Sequence, residues 1–244
     1  MGAAWEQIDV DNSPMRIYLS VPSGATLLPA IVVIQHRDGL DEFTQAMTRR
    51  ISDAGYIGAA LDLYHRDVRV HRDDAATLRS RLSDSNVIAD VTATVDFLKA
   101  HGSVDGKQLG IIGFCMGGRV AYLMACVSTS FKAAVSYYGG NMFESWGQGT
   151  TPFERTTKMV CPILAHFGDE DENPSLDDMR RLDAELSKLE KIHDFCSYPG
   201  VGHSFMNNRH KNYHPEADKT SWRRTLDFLS SYVRDPVALP STDG

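Results

Sequence analysis

An apolar run at 109–112 leads straight into Gly113-Phe114-Cys115-Met116-Gly117-Gly118, and a helix-forming stretch, 119–126, leads straight out. Few folds admit a strand, a tight turn and a helix in so few residues. A side chain held on such a turn sits in strained backbone, so the positions two residues away on either side must lack bulk, and here both are glycine. The turn lifts residue 115 to the top of a sheet. It also aims the free N–H groups and positive dipole end of the following helix at that residue. A thiol placed there has its thiolate favoured. Cys115 is therefore the candidate nucleophile.

The remaining sequence reads as strands and helices taking turns. Residues 15–21 alternate like a half-exposed strand, and 30–34 form a continuous apolar run, as expected of a strand buried on both faces. Further strands are expected at 56–63, 131–138, 160–167 and 193–198. Helices are expected at 41–54 (Phe43, Met47 and Ile51 on one face, Gly55 as the stop), at 86–101 (Val87, Val91, Val95, Leu98) and at 221–233 (Trp222, Leu226, Leu229). Ser175 caps another, with Leu176, Met179, Leu182, Leu186 and Leu189 inward. This alternation predicts an α/β fold: one mostly parallel sheet with helices on both faces, spanning residues 1–234 as a single domain. Residues 235–244 read as a loose tail. Sites in such sheets lie beyond the carboxyl ends of the strands. The loops after Ile34, Leu63, Ile112, Tyr138, Phe167 and Tyr198 are the ones to search.

Composition narrows the function class. A net charge of −7 argues against nucleic acid or an acidic membrane surface as partner. No apolar run approaches the roughly 18 residues that span a bilayer, and residues 1–12 lack the features of a signal peptide. Cys115, Cys126, Cys161 and Cys196 form no C-x-x-C pair, so they read as reduced thiols in a cytoplasmic protein, the last three as core fillers. No His, Cys and carboxylate cluster has metal-ligand spacing, so no metal and no organic cofactor is expected. The expected partner is a small molecule, and the chain is expected to be a monomer or a small homo-oligomer.

A cysteine nucleophile needs a base, and the base needs an orienting group. With the chain order nucleophile, acid, base, four histidines follow a plausible acid loop. His193 opens a strand, at the wrong end of the sheet. His210 and His214 lie in a polar stretch without an apolar anchor. His203 lies just past a strand in Gly200-Val201-Gly202-His203-Ser204-Phe205, where glycines permit close approach and Phe205 can pin the loop, so His203 is the candidate base. The acid is expected in Gly168-Asp169-Glu170-Asp171-Glu172, where Asp169 and Asp171 are both candidates.

The cysteine turn, the G-x-x-D loop, the G-H-S-F loop and Asp62-Leu63-Tyr64 together resemble the dienelactone hydrolase family, over roughly residues 8–233. The resemblance implies an α/β-hydrolase fold and a carboxylic ester or lactone hydrolase acting through an acyl-enzyme. It matches Cys115 to the nucleophile, His203 to the base and Asp171, rather than Asp169, to the acid. It places the oxyanion hole at the backbone N–H groups of Met116 and Arg37. Two departures stand out. His36 occupies the position of a family Glu that holds the resting thiol. Of the two arginines that bind the substrate carboxylate in the family, one is replaced by Asn207, and the other falls in the region of Arg79 and Arg81. His36, Tyr64, Arg81, Tyr138, Met206 and Asn207 are the expected substrate-contacting residues, with Phe143 and Trp146 as further candidates for an apolar lining. A different class of function, a non-catalytic binding protein of the same fold, and a thiol redox enzyme are the alternatives. The first is disfavoured by a complete triad in order, the second by the absence of a resolving cysteine.

Overall fold

Segments apolar on both faces make the middle of one eight-stranded sheet. The computed structural model describes residues 2–67 and 74–234; the tail expected at 235–244 lies outside them. The strands are β1 (Gly2–Val10), β2 (Ser13–Val21), β3 (Leu28–Ile34), β4 (Ile57–Leu61), β5 (Val104–Phe114), β6 (Phe131–Tyr137), β7 (Ile163–Gly168) and β8 (His193–Tyr198). Their order across the sheet is β1-β2-β4-β3-β5-β6-β7-β8. From β4 to β8 every pairing is parallel; β2 joins β4 antiparallel, and β1 joins β2 antiparallel.

The helices are α1 (Glu42–Asp53), α2 (Ala75–Ser80), α3 (Asp84–Ala100), α4 (Met116–Val127), α5 (Leu176–Lys188) and α6 (Pro215–Leu229). One face of the sheet packs Val87, Val91, Val120, Met124, Met179 and Leu182 from α3, α4 and α5. The other packs Phe43, Met47 and Ile51 from α1 with Trp222 and Leu229 from α6. Helices thus cover both faces, which accounts for the unbroken apolar sequences of β3 and β4.

Helix starts follow their caps. Asp41 accepts from the Thr44 N–H, Ser83 from Asn86, and Ser175 forms a capping box with Asp178. The last helix begins at Pro215, earlier than the expected 221, because His214 accepts from the Ala217 N–H and proline suits the first helical position. Strand β1 was not expected, because most of it is exposed on both faces and carries no apolar alternation. It exists because Asp11 and Asn12, both at positive φ, close a two-residue hairpin that sets Val10 opposite Ser13.

Candidate active site

The end of β5 is built so that only glycine fits around Cys115. A Cβ on Gly113 would stand 1.8 Å from the Gly117 carbonyl oxygen, and one on Gly117 would stand 2.5 Å from that of Ile34. Cys115 itself takes φ 56°, ψ −121° as the N-cap of α4, a conformation a non-glycine residue adopts only when its surroundings enforce it. Cys115 lines a cleft of about 310 Å³ together with Arg37, Arg79, Met116, Arg119, Trp146 and His203, among others.

The loops that carry Asp171 and His203 touch. A Cβ on Gly168 would fall 1.9 Å from the Val201 carbonyl oxygen, so the loop after β7 and the loop after β8 run in backbone contact. His203 Nδ1 lies 2.7 Å from Asp171 Oδ2, and the Asp171 side chain is 3% exposed. The other carboxylate oxygen accepts from the Asn173 N–H at 2.9 Å. Asp169 does not pair with His203. Its Oδ1 accepts the Gly200 N–H at 2.7 Å and ties the two loops together. Phe205 is fully buried, packed against Tyr138, which in turn meets the His203 ring.

The electrostatics of the three groups interlock. Burial alone pushes the His203 imidazole down, but its hydrogen bonds to Asp171 and Cys115 and their charges outweigh this and raise its pKa to about 10. Burial alone pushes the Cys115 thiol up. The hydrogen bond and charge of His203, the Met116 N–H and the Arg37 charge reverse that, and the thiol lies below its ordinary value. Cys126 and Cys161 go the other way, pushed up to about 12 by burial.

Met116 and Arg37 are held as a pair. The Tyr64 hydroxyl donates to the Arg37 carbonyl at 2.7 Å and lies 3.4 Å from Met116 Sδ. Tyr64 is thus buried beneath the cleft and is not among its lining residues. Several other expected substrate contacts also lie elsewhere. His36 turns away from the thiol: its ring packs edge-on against Phe43 and lies between Asp38 (3.5 Å) and Asp41 (2.9 Å, off the line of a hydrogen bond). Arg81 pairs with Asp67 at 3.2 Å outside the cleft, and Arg79, two residues earlier, reaches the cleft instead. Tyr138 packs edge-on behind the His203 ring with its hydroxyl buried. Met206 is buried with its sulfur 3.3 Å from Ser221 Oγ, and Asn207 closes a turn by accepting the Arg209 N–H.

One constituent of the site was not anticipated. Arg119, two residues beyond Gly117, is fully buried and forms a two-point ion pair with Asp84 at 2.6 and 3.2 Å. It also donates to the carbonyls of Asn141 and Glu144 and lies 4.0 Å from the centre of the Trp146 ring. Asn173 meets Asn141 through 3.0 and 2.5 Å hydrogen bonds. The wall 140–146 is therefore held from the nucleophile helix on one side and the acid loop on the other. Sequence offered one signal, an arginine in an otherwise apolar helix face. Among the described residues no group of three or more His, Cys, Asp or Glu side chains is arranged to hold a metal ion.

A nucleophile candidate on a strand-to-helix turn, followed by acid and base loops on later parallel strands, defines the α/β-hydrolase class. A solved structure from Klebsiella pneumoniae, described as a dienelactone hydrolase, superposes with a TM-score of 0.88 at 29% identity, over 94% of this chain and 98% of that one. The family model described as the dienelactone hydrolase family matches residues 15–233, and the chain belongs to that family. Among its relatives, a Bradyrhizobium protein assigned the name 2-oxo-3-(5-oxofuran-2-ylidene)propanoate lactonase is 27% identical over 92% of both chains. A Synechocystis protein assigned the name carboxymethylenebutenolidase is 28% identical over 93% of this chain and 96% of its own. No described helix is long and apolar enough to cross a membrane.

Proposed function

We propose that this chain is a cysteine-dependent hydrolase of small esters or lactones. The observation that carries the reading is the line Cys115–His203–Asp171 at one cleft, in which the thiol is lowered and the imidazole raised by each other. Family membership and the lactonase names of its relatives support the substrate class.

Cys115 as thiolate attacks the acyl carbon, and the carbonyl oxygen takes the developing negative charge. The backbone N–H groups of Met116 and Arg37 are the donors for that oxyanion, which makes Tyr64 a positioning residue for both. The His203 imidazolium gives its proton to the leaving oxygen as the carbon–oxygen bond breaks. A water then attacks the thioester, His203 accepts its proton, and the acid is released with the thiolate restored. Asp171 keeps Nδ1 protonated throughout, so that Nε2 is the atom that works.

The test is turnover of 4-nitrophenyl acetate. Sustained release of nitrophenol that Cys115→Ala abolishes supports a hydrolase. A single stoichiometric burst supports the alternative, a binding protein of the same fold that forms an adduct.

A further inference from the structure

The loop after β3 is fixed at both ends by its backbone. Gly117, in the first turn of α4, packs against the carbonyls of Ile34 and Gln35, where a Cβ would stand 2.5 and 2.6 Å from their oxygens. At the other end the Thr44 hydroxyl donates to the Gly39 carbonyl at 3.0 Å, and the Gln45 amide to that of Leu40 at 2.9 Å. Between these ends the chain reverses. The Gly39 N–H donates to the His36 carbonyl at 3.1 Å, and Gly39 takes φ 91°, which glycine adopts at no steric cost.

The peptide that joins His36 to Arg37 carries the oxyanion donor. Its carbonyl is engaged by Gly39, and in a planar trans peptide the N–H points the opposite way. The Arg37 N–H therefore points out of the turn, on a residue that lines the cleft, and it donates to no described backbone carbonyl. Tilting this one peptide moves the donor. Two side chains hold the tilt. Tyr64 donates to the Arg37 carbonyl at 2.7 Å. The other is His36 itself, whose buried ring leaves the turn toward α1. Its Nε2 lies 2.9 Å from Asp41 Oδ1, its Nδ1 lies 3.5 Å from Asp38 Oδ2, and it meets Phe43 edge-on with centres 5.2 Å apart. Asp41 Oδ1 also accepts the Thr44 N–H at 3.0 Å as the cap of α1, so the ring is moored on the end of a helix. Burial pushes the Asp41 carboxyl up, but the His36 ring and the Thr44 N–H reverse this and hold it below its ordinary value, as an attractive contact requires.

We propose that His36 is a positioning residue for the oxyanion hole: its ring, moored between Asp38 and Asp41 and against Phe43, fixes the tilt of the 36–37 peptide and with it the Arg37 N–H. This rests on the hydrolase reading above. The position that the family resemblance assigns to the resting thiol acts in this chain on the carbonyl oxygen of the substrate instead.

Acyl transfer develops an oxyanion; alkylation by iodoacetamide, which displaces iodide at a saturated carbon, does not. In His36→Ala the single-turnover rate of acylation by 4-nitrophenyl acetate should fall about ten- to hundred-fold, short of the roughly 10²–10³ that outright loss of an oxyanion donor costs, while alkylation of Cys115 stays within about two-fold. Phenyl trifluoromethyl ketone, to whose carbonyl carbon the thiolate adds as the C=O pair moves onto oxygen, should bind more weakly by the same factor. His36→Gln, which keeps an N–H to offer Asp41, should lose only about three- to ten-fold, and it carries the comparison if His36→Ala does not fold. Asp41→Asn keeps the oxygen that caps α1 and should add little to the loss already present in His36→Ala, because both act on one contact. An unchanged rate of acylation overturns the proposal, as does alkylation that slows in step with it. If the parent protein transfers no acyl group, the hydrolase reading has failed separately. Hydrogen exchange of the Gly39 N–H, which closes the turn, then decides on His36: faster exchange in His36→Ala supports its role, and equal exchange overturns it.

Discussion

Asp169 and Asp171 lie two residues apart in one acidic loop, and the structure gives them opposite work. In Asp171→Asn the group 2.7 Å from His203 Nδ1 becomes an amide. The lost charge-assisted hydrogen bond is worth about 1.5–3 kcal/mol in so buried a carboxyl. The amide also accepts the wrong tautomer, in which Nε2 carries the proton and cannot take one. In serine triads the same change lowers kcat by roughly 10⁴, about 5 kcal/mol, and that is the loss expected here. A second readout follows from the imidazole. Without Asp171 the strongest influence that raises the imidazole is gone, so the His203 pKa falls, its ion pair with Cys115 weakens and the thiol pKa rises. Iodoacetamide labelling of Cys115 near neutral pH should slow with it. In Asp169→Asn the side-chain oxygen that accepts the Gly200 N–H remains, so activity should stay within about three-fold and stability within about 1 kcal/mol. Both variants are assayed on one ester, with thermal unfolding as the control for folding. If Asp169→Asn is the dead variant and Asp171→Asn works, the reading of this loop is wrong.

Limiting iodoacetamide should label Cys115 in preference to Cys126, Cys161 and Cys196, whose thiols burial pushes up; mapping another cysteine as the first adduct would contradict the assignment. Titration of thiolate absorbance near ~240 nm, with Cys115→Ser as blank, should give an apparent pKa below the free-thiol value of about 8.5. The pair is fully formed between the lowered thiol pKa and the raised imidazole pKa of about 10, so labelling should be fast across that window and slow below the former. His36→Gln should leave this profile unchanged, because the ring faces Asp38 and Asp41; a shift would show that it reaches the thiol. Asp84→Asn should destabilise the fold by about 3–5 kcal/mol, measured by urea unfolding, since it leaves Arg119 buried without its counter-charge.

What could be read in advance was what is encoded locally. The cysteine turn is a five-residue steric constraint, so its glycines announce it, and buried parallel strands such as β3 announce themselves by continuous apolarity. His203 and Phe205 were legible because they follow a short strand through glycines. Strand β1 was hidden because both its faces meet solvent and the pairing depends on a hairpin at Asp11-Asn12. The direction of His36 is set by Asp41, which acts only once α1 has formed. Choosing Arg79 over Arg81 requires the placement of α2, and the Arg119–Asp84 pair joins residues far apart in sequence. Each of these is a tertiary fact with no periodicity to betray it.

The strand order has a consequence for how the protein comes into being. Cys115 follows β5, but Asp171 and His203 follow β7 and β8, at the far edge of the sheet. During synthesis the chain emerges from its amino end, so Cys115 is exposed well before His203 has been made. Until β8 docks on β7, Cys115 lacks the His203 imidazole, the strongest of the influences that lower its thiol. Arrival of the last strand therefore arms the thiol as well as completing the sheet. A nascent or truncated chain that ends before β8 should therefore label more slowly at Cys115 than the complete fold.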